Sequence, residues 1–144
     1  MTTRHVEMID RSVEQTHIWI NDVADEFGIE DYQLAYRILR AFLHAVRDRI
    51  TVEESAQLAA QLPTLVRGIY YEGWRPSATP LGYRDRETFL SRIAEEALLA
   101  GSTETSYAVA AAAAVVRKHV SEGEVEDVVA ILPAEIRQLL AETG

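Results

Sequence analysis

The chain has 144 residues, the length of a single domain, and it contains no cysteine, which excludes disulfides and thiolate metal sites. Its net charge of −9 disfavours binding to nucleic acids or anionic membranes, because sequence-independent binding to either needs a basic surface. The longest apolar run, residues 108–116, is too short to cross a bilayer, and the first ten residues lack the apolar segment of a signal peptide. We therefore expect one cytoplasmic domain over residues 1–144.

Four helices are predicted in the first half of the chain. Ser12-Val-Glu-Gln15 has the form of a capping box, and apolar residues at helical spacing follow it as far as Phe27. The four predicted helices are 12–27, 31–49, 52–61 and 63–71. The charged residues of the second helix are expected mostly on its outer face: Arg37, Arg40, His44 and Asp48.

The segment between the halves, residues 73–85, is predicted to be an extended linker. Pro76 and Pro80 each bias the preceding residue away from helix. Residues 69–83 hold three of the six tyrosines, one of the two tryptophans and two of the four prolines. Between positions 67 and 92, five arginines stand against three acidic residues in a chain that is otherwise strongly acidic.

Four further helices are predicted in the second half. Their ranges are 86–100, 103–119, 122–131 and 133–142. The helix 103–119 carries alanine at position 108 and at 110 to 114. Small side chains let other helices approach closely, so this helix is expected to be central. No segment shows the two-residue alternation of a half-buried strand, and the fold class is predicted to be all-α.

The two halves form an internal repeat with an offset of 70 residues. Residues 19–70 align with 89–140 without a gap, and ten of the 52 pairs are identical; composition alone gives about three or four. Capping boxes recur in register, Thr51-Val-Glu-Glu54 with Ser121-Glu-Gly-Glu124. The predicted architecture is therefore two four-helix repeats, 12–72 and 86–142, packed as one domain.

A Leu-Pro pair followed by an arginine occurs in both halves, with Arg67 in the first half and Arg137 in the second. The first half continues into Tyr71-Glu72-Gly73-Trp74. This pattern resembles a bacterial family known as domain of unknown function 2267, over nearly the whole chain. The resemblance implies a small, acidic, helical cytoplasmic protein without an assigned reaction, and it carries over no catalytic residue. The second half lacks the aromatic residues after Arg137.

No catalytic, metal or cofactor site is predicted. Glu14 and His17 form the single Glu-x-x-His pair, whereas di-iron bundles use two on facing helices. Nucleophile elbows, phosphate loops and dinucleotide fingerprints are absent from the sequence. Adjacent carboxylates point about 100° apart on a helix, so these pairs are expected on solvated faces: Glu53-Glu54, Glu95-Glu96 and Glu126-Asp127.

Four arginines recur at the offset of 70. Arg47 and Arg117 end the second helix of each half, where a cation complements the helix dipole. Arg67 and Arg137 lie one turn into the fourth helix, where the dipole gives no such reason. They fit either an intramolecular ion pair, with Glu26 and Glu96 as partners, or contact with an anionic ligand or a partner's carboxylate.

The sequence favours a non-enzymatic interaction module that contacts a protein partner, or a second copy of the chain, through segment 67–92. The predicted contact residues are Arg67, Tyr70, Tyr71, Trp74, Arg75 and Tyr83, because aromatic residues beside arginine are typical of interface hot spots. A linker that only packs its own aromatic side chains has the same composition. The alternative function is a small-ligand sensor with a pocket of several hundred Å³ between the halves, gated by Trp74.

Overall fold

The structure, a computed structural model, describes residues 3–142; residues 1–2 and 143–144 of the expected domain lie outside this range. The described residues form eight α-helices, a 3₁₀ turn at Pro76–Ala78 and no strand, so the prediction of an all-α protein is confirmed. The helices are α1 (Glu7–Phe27), α2 (Tyr32–Arg47), α3 (Val52–Ala60), α4 (Thr64–Tyr71), α5 (Arg86–Ala97), α6 (Ser102–His119), α7 (Glu122–Ile131) and α8 (Ala134–Ala141).

The first helix begins earlier than predicted. α1 starts at Glu7, with Val6 as its N-cap, and Ser12 lies inside the helix. The Ser12 hydroxyl instead accepts a hydrogen bond from the amide of Leu65 at 2.9 Å, in the first turn of α4. A capping box is a local pattern, and the sequence gives no sign that this hydroxyl serves a distant helix. The added turns of α1 carry exposed apolar side chains, with Met8 69% and Ile9 61% accessible.

Helices α3 and α7 begin at the hydroxyl residues that the sequence indicates. Thr51 Oγ1 accepts from the amide of Glu54 at 3.1 Å, and Ser121 Oγ accepts from the amide of Glu124 at 3.2 Å. The reciprocal bond of a full capping box is replaced at α7, where the Ser121 amide donates to Oε1 of Gln61. Both glutamate side chains are buried where α3 and α7 meet, and the expectation of a solvated face is therefore wrong for Glu54.

The other helix ends lie within three residues of their predicted positions. The largest difference is at α5, which ends at Ala97 because Leu98 has left-handed backbone (φ 60°). That conformation commonly ends helices, but the residue that adopts it is usually glycine, as Gly28 is after α1 (φ 76°). A leucine in this role leaves no sequence signal.

The two halves share one core. α2 packs against α5 and α1 packs against α6, so the first two helices of each half lie on those of the other half. α2 also meets α6, and α3 meets α7. Both halves have four helices in the same order; superposition of 12–72 on 86–142 stays a prediction.

Helices α2 and α6 are both central. α6 contacts α1, α2, α5, α7 and α8, while α2 contacts α1, α4, α5 and α6. The face of α6 that allows these contacts is built of buried alanines: Ala108, Ala111, Ala112 and Ala113. Because the distance between helix axes depends on the side chains at the contact, alanines permit close approach.

Trp19→Ala is expected to lower the free energy of unfolding by about 3–5 kcal/mol, as removal of a large aromatic side chain from a core does. Trp19 is 2% exposed, and its ring stacks on His119 with centroids 4.7 Å apart. Trp19→Phe should cost less, because Phe89, offset by 70 residues, is also buried. Urea unfolding measures both.

Tyr107→Ala is the control for this experiment, since Tyr107 is 66% exposed and its loss should change stability by less than about 0.5 kcal/mol. A cost for Trp19→Ala as small as that of the control would show that Trp19 is not a core residue.

Candidate functional site

Arg47, in the last turn of α2, holds the end of α4. Its side chain is buried, and Nη1 donates to the carbonyl oxygens of Tyr70 and Glu72, each at 2.8 Å. Nε and Nη2 donate to the carboxylate of Asp48 at 2.8 and 3.2 Å. We expected Arg47 to complement the dipole of its own helix; the structure shows that it also fixes the point at which the linker leaves α4.

The far end of the linker is fastened to the same helix terminus. The amide of Leu81 donates to the carbonyl of Asp48 at 2.7 Å, and Nη1 of Arg49 donates to the carbonyl of Leu81. The ring of Tyr83 lies near two guanidinium groups, with its centroid 5.5 Å from Cζ of Arg49 and 6.0 Å from Cζ of Arg92. Both ends of the linker are thus tied to the C-terminal end of α2.

Arg67 contributes to the fold in a way that neither sequence hypothesis described. Its Nε donates to the carbonyl of Ala59 at 2.8 Å, and Nη2 donates to the carbonyl of Leu62 at 3.0 Å. These carbonyls lie at the C-terminal end of α3, where helix carbonyls lack partners within the helix. Glu96, one of the acids suggested as an arginine partner, pairs with Arg40 and His44 instead.

Three of the six predicted contact residues lie together at the surface. Tyr71 and Trp74 are half-buried and stack with ring centroids 5.2 Å apart, and Arg75 beside them is exposed. Tyr70 is fully buried, and its hydroxyl donates to the carbonyl of Ser55 at 3.1 Å. We call Tyr71, Trp74 and Arg75 the linker patch.

Three buried polar atoms in or next to the linker have no hydrogen bond. Within residues 3–142, Nε1 of Trp74, the hydroxyl of Tyr83 and Nε of Arg49 are buried and have no hydrogen-bond partner. Burial raises the pKa of Tyr83 to about 12, against the opposing charges of Arg92 and Arg49. Each unpaired buried polar group costs about 1–3 kcal/mol, so this packing is less complete than that of Tyr70.

A charged network joins α2, α5 and the end of α4, and it shows that the expected outer face of α2 is partly wrong. His44 is buried: Nδ1 lies 2.9 Å from a carboxylate oxygen of Glu96, and Nε2 lies 2.8 Å from the carbonyl oxygen of Ile69. Arg40 pairs with the same Glu96 at 3.0 Å and with Glu72 at 3.3 Å. Charged residues at this spacing look the same on a solvated face, so the sequence could not reveal the network.

Glu96 is the acid on which this network converges. Burial alone raises the pKa of Glu96, but the hydrogen bond and charge of His44 and the charge of Arg40 outweigh it, so the pKa lies below its usual value. The ionised carboxylate is therefore the form that stabilises the contact between α2 and α5.

The cavity between the two halves is small. It is lined by apolar residues of α2, α3, α6, α7 and α8 and has a volume of about 40 Å³. A shallow groove of about 350 Å³ lies beside His44, Arg92 and Glu96, and its lining is mostly polar. The apolar pocket that a ligand sensor needs is much larger than the first of these spaces.

A sequence model of an uncharacterized conserved protein family, DUF2267, matches residues 16–139. The chain belongs to the DUF2267 family. The match includes the linker patch, all of α2 to α7, and parts of α1 and α8. Comparison with curated proteins found no match. Over the described part of this DUF2267 protein, every helix is too short or too polar to span a membrane.

Two tyrosine-to-phenylalanine changes in the DUF2267 protein should differ in cost. Tyr70→Phe removes the hydrogen bond to Ser55 and should lower the free energy of unfolding by about 1 kcal/mol. Tyr83→Phe removes a buried hydroxyl that has no partner in the described residues and keeps the ring near two arginines, so it should leave the free energy of unfolding unchanged or raise it. Urea unfolding compares them; a larger loss for Tyr83→Phe would show that its hydroxyl is bound.

Glu96→Gln should make the DUF2267 protein less stable at pH 7 by about 1–2 kcal/mol, because hydrogen bonds to a charged group are lost. Since the folded pKa of Glu96 is lowered, its contribution is present above the unfolded value of 4.5 and disappears as the pH falls through the folded value. The two proteins should therefore converge in stability as the pH falls below 4.5. Thermal unfolding from pH 3 to 8 tests this.

Glu95→Gln is the matched control, because the neighbouring side chain is exposed and should show no such dependence. An equal pH dependence of both variants would mean that the Glu96 contacts do not stabilise the fold.

Proposed function

We propose that this DUF2267 protein is a non-enzymatic interaction module that binds a protein partner through segment 67–92. The observation that carries the proposal is the linker patch: a half-exposed stack of Tyr71 on Trp74 beside exposed Arg75. Tryptophan, tyrosine and arginine are the residues in which binding hot spots are richest.

The linker patch rests on a fixed support. Arg47 holds the carbonyls of Tyr70 and Glu72, and the backbone of Leu81 is bonded to Asp48. Side chains presented by an anchored backbone lose less conformational freedom when they bind, which favours affinity. The anchoring therefore supports recognition by this segment as well as its packing.

The charge of the segment indicates the chemistry of the partner. Arg75 and Arg84 are exposed, in a segment with five arginines and three acidic residues. The whole chain carries a charge of −9. Because complementary potentials speed association and suppress wrong partners, we infer a protein surface with carboxylates around an apolar recess for the Trp74 ring. Nucleic acid, as a polyanion, is disfavoured by the overall charge, and we place the interaction in the cytoplasm.

The spaces in the structure favour this proposal over a small-ligand sensor. The apolar cavity between the halves has a volume of about 40 Å³, far below that of a ligand pocket, and the spaces of about 350 Å³ between α2 and α5 and about 300 Å³ between α1 and α6 reach only the lower limit of that size. The buried histidine beside the linker, His44, is already engaged by Glu96 and Ile69 through both ring nitrogens, which is the arrangement of a structural residue.

A second surface competes with the linker patch for the same role. The first turns of α1 expose four apolar side chains: Val6, Met8, Ile9 and Val13. Exposed apolar clusters of this kind also mark contact sites. The test must therefore separate the two surfaces.

The fourth prediction is that Trp74→Ala weakens binding by at least about 2 kcal/mol, or roughly 30-fold in Kd. Tagged wild type, Trp74→Ala, Ile9→Ser and Tyr107→Ala would be used to capture partners from cells that naturally express the protein, and Kd measured for the captured protein. Tyr107→Ala, which removes an exposed aromatic side chain of α6, should bind as wild type does.

Each other result has a definite meaning. Loss of binding with Ile9→Ser but not with Trp74→Ala would assign recognition to α1 and overturn the role of the linker patch. Capture of the chain itself, with a concentration-dependent mass in light scattering that Trp74→Ala abolishes, would identify the partner as a second copy. Unchanged melting of Trp74→Ala excludes unfolding as the cause.

A further inference from the structure

Two buried glutamates meet where the halves touch through α3 and α7. Glu54 lies in the first turn of α3 and Glu124 in the first turn of α7, and the two positions are offset by 70 residues. Each residue is 9% exposed, and the Oε2 atom of each is buried with no hydrogen-bond partner in the described residues. Asp127, one turn further along α7, is exposed.

The three carboxyl groups converge. One carboxylate oxygen from each of Glu54, Glu124 and Asp127 lies within 4.8 Å of the other two. Calcium is bound by oxygen at 2.3–2.6 Å, so two oxygens on opposite sides of one ion are about 5 Å apart. The spacing therefore allows all three oxygens to bind a single cation.

The electrostatics of this cluster require a positive charge. Glu54 and Glu124 are both buried, and Asp127 adds a third acidic group beside them. Two carboxylates buried in contact cannot both ionise without compensation. The compensation is a proton or a cation, and the helix dipole in the first turn of each helix favours the ionised carboxylate.

We propose that Glu54, Glu124 and Asp127 form a site for one hard divalent cation, Ca²⁺ or Mg²⁺, that links α3 to α7. The donors are carboxylate oxygens, which these ions prefer, whereas the nitrogen and sulfur ligands typical of zinc and iron are missing from the cluster. Asp127 lies on the solvent side, where water completes the coordination of the ion.

The sequence predicted no metal site for two reasons. The site has no Glu-x-x-His pair on one helix, and adjacent carboxylates in a sequence are typical of solvated faces. The proposed site instead draws one carboxylate from α3 and two from α7, a helix about 70 residues further along the chain. Only the packing of α3 on α7 brings them together.

The experiment uses the full chain, treated with EDTA and dialysed, and measures Tm at pH 7.5 with and without 1 mM CaCl₂ or MgCl₂. Binding to the folded state alone raises Tm, and a concentration 100 times Kd corresponds to a shift of more than about 5 °C in a domain of this size. Calorimetric titration should give one ion per chain.

The variants are Glu124→Gln, Asp127→Asn and the control Glu126→Gln, which neutralises an exposed neighbour on the same helix. The first two should abolish the shift, and the control should retain it. Asp127→Asn changes an exposed residue, so it tests the site even if Glu124→Gln alters the fold. In EDTA, the Tm of Glu124→Gln should equal or exceed that of wild type, because the substitution removes the repulsion between two acidic side chains.

Absence of a saturable shift in wild type with either ion would overturn the proposal, and the glutamate pair would then hold a shared proton. A shift of equal size in the Glu126→Gln and Asp127→Asn variants would also overturn it, since that result indicates nonspecific screening of an acidic chain.

Discussion

Each half of the chain packs its first two helices against the first two helices of the other half. The rest of the structure depends on these contacts between the halves. Neither half encloses the core alone, because α1 is covered by α6 and α2 by α5. An ion pair occurs at both contacts with the signs reversed: Asp48 with Arg92 at 3.6 Å, and Lys118 with Asp22 at 3.2 Å. Position 48 is offset by 70 from 118, and 92 from 22, so corresponding positions of the two halves form ion pairs with opposite signs.

Polar side chains of α2 hold the end of α4. Three carbonyl groups there, those of Ile69, Tyr70 and Glu72, accept hydrogen bonds from His44 and Arg47. The chain turns towards α5 at this point, and these side chains fix the turn. At the end of α8, the carbonyl of Leu140 accepts a hydrogen bond from Arg117 at 3.3 Å, as the carbonyl of Tyr70 does from Arg47 at the positions offset by 70. Ala114 stands at the position offset by 70 from His44, so the histidine contact of the first half has no equivalent in α6.

The helices could be predicted from the sequence because their signals are local. Periodic apolar residues, the hydroxyl caps at Thr51 and Ser121, and the terminating Gly28 all act within a few residues of their own position. The partners of polar side chains could not be predicted in the same way. Ser12 caps another helix and Arg67 binds the carbonyls of α3, because these partners are set by packing. The linker patch lies between these two cases. Its composition identified the segment, but only the structure separates half-buried Trp74 and exposed Arg75 from fully buried Tyr70.

Unsatisfied polar atoms are concentrated at the two places for which binding is proposed. In the described residues, buried side-chain atoms without a partner are found under the linker, at Arg49, Trp74 and Tyr83, and at the contact of α3 with α7, at Glu54 and Glu124. Each costs about 1–3 kcal/mol, and apolar residues of similar size remove that cost, often with a gain in stability. Buried polar atoms without hydrogen bonds are expected at functional sites, where the binding of another molecule compensates their cost. The distribution of these atoms therefore favours the linker and the α3–α7 contact, rather than the well-packed interfaces of α1, α2, α5 and α6, as the parts of the molecule that meet other molecules.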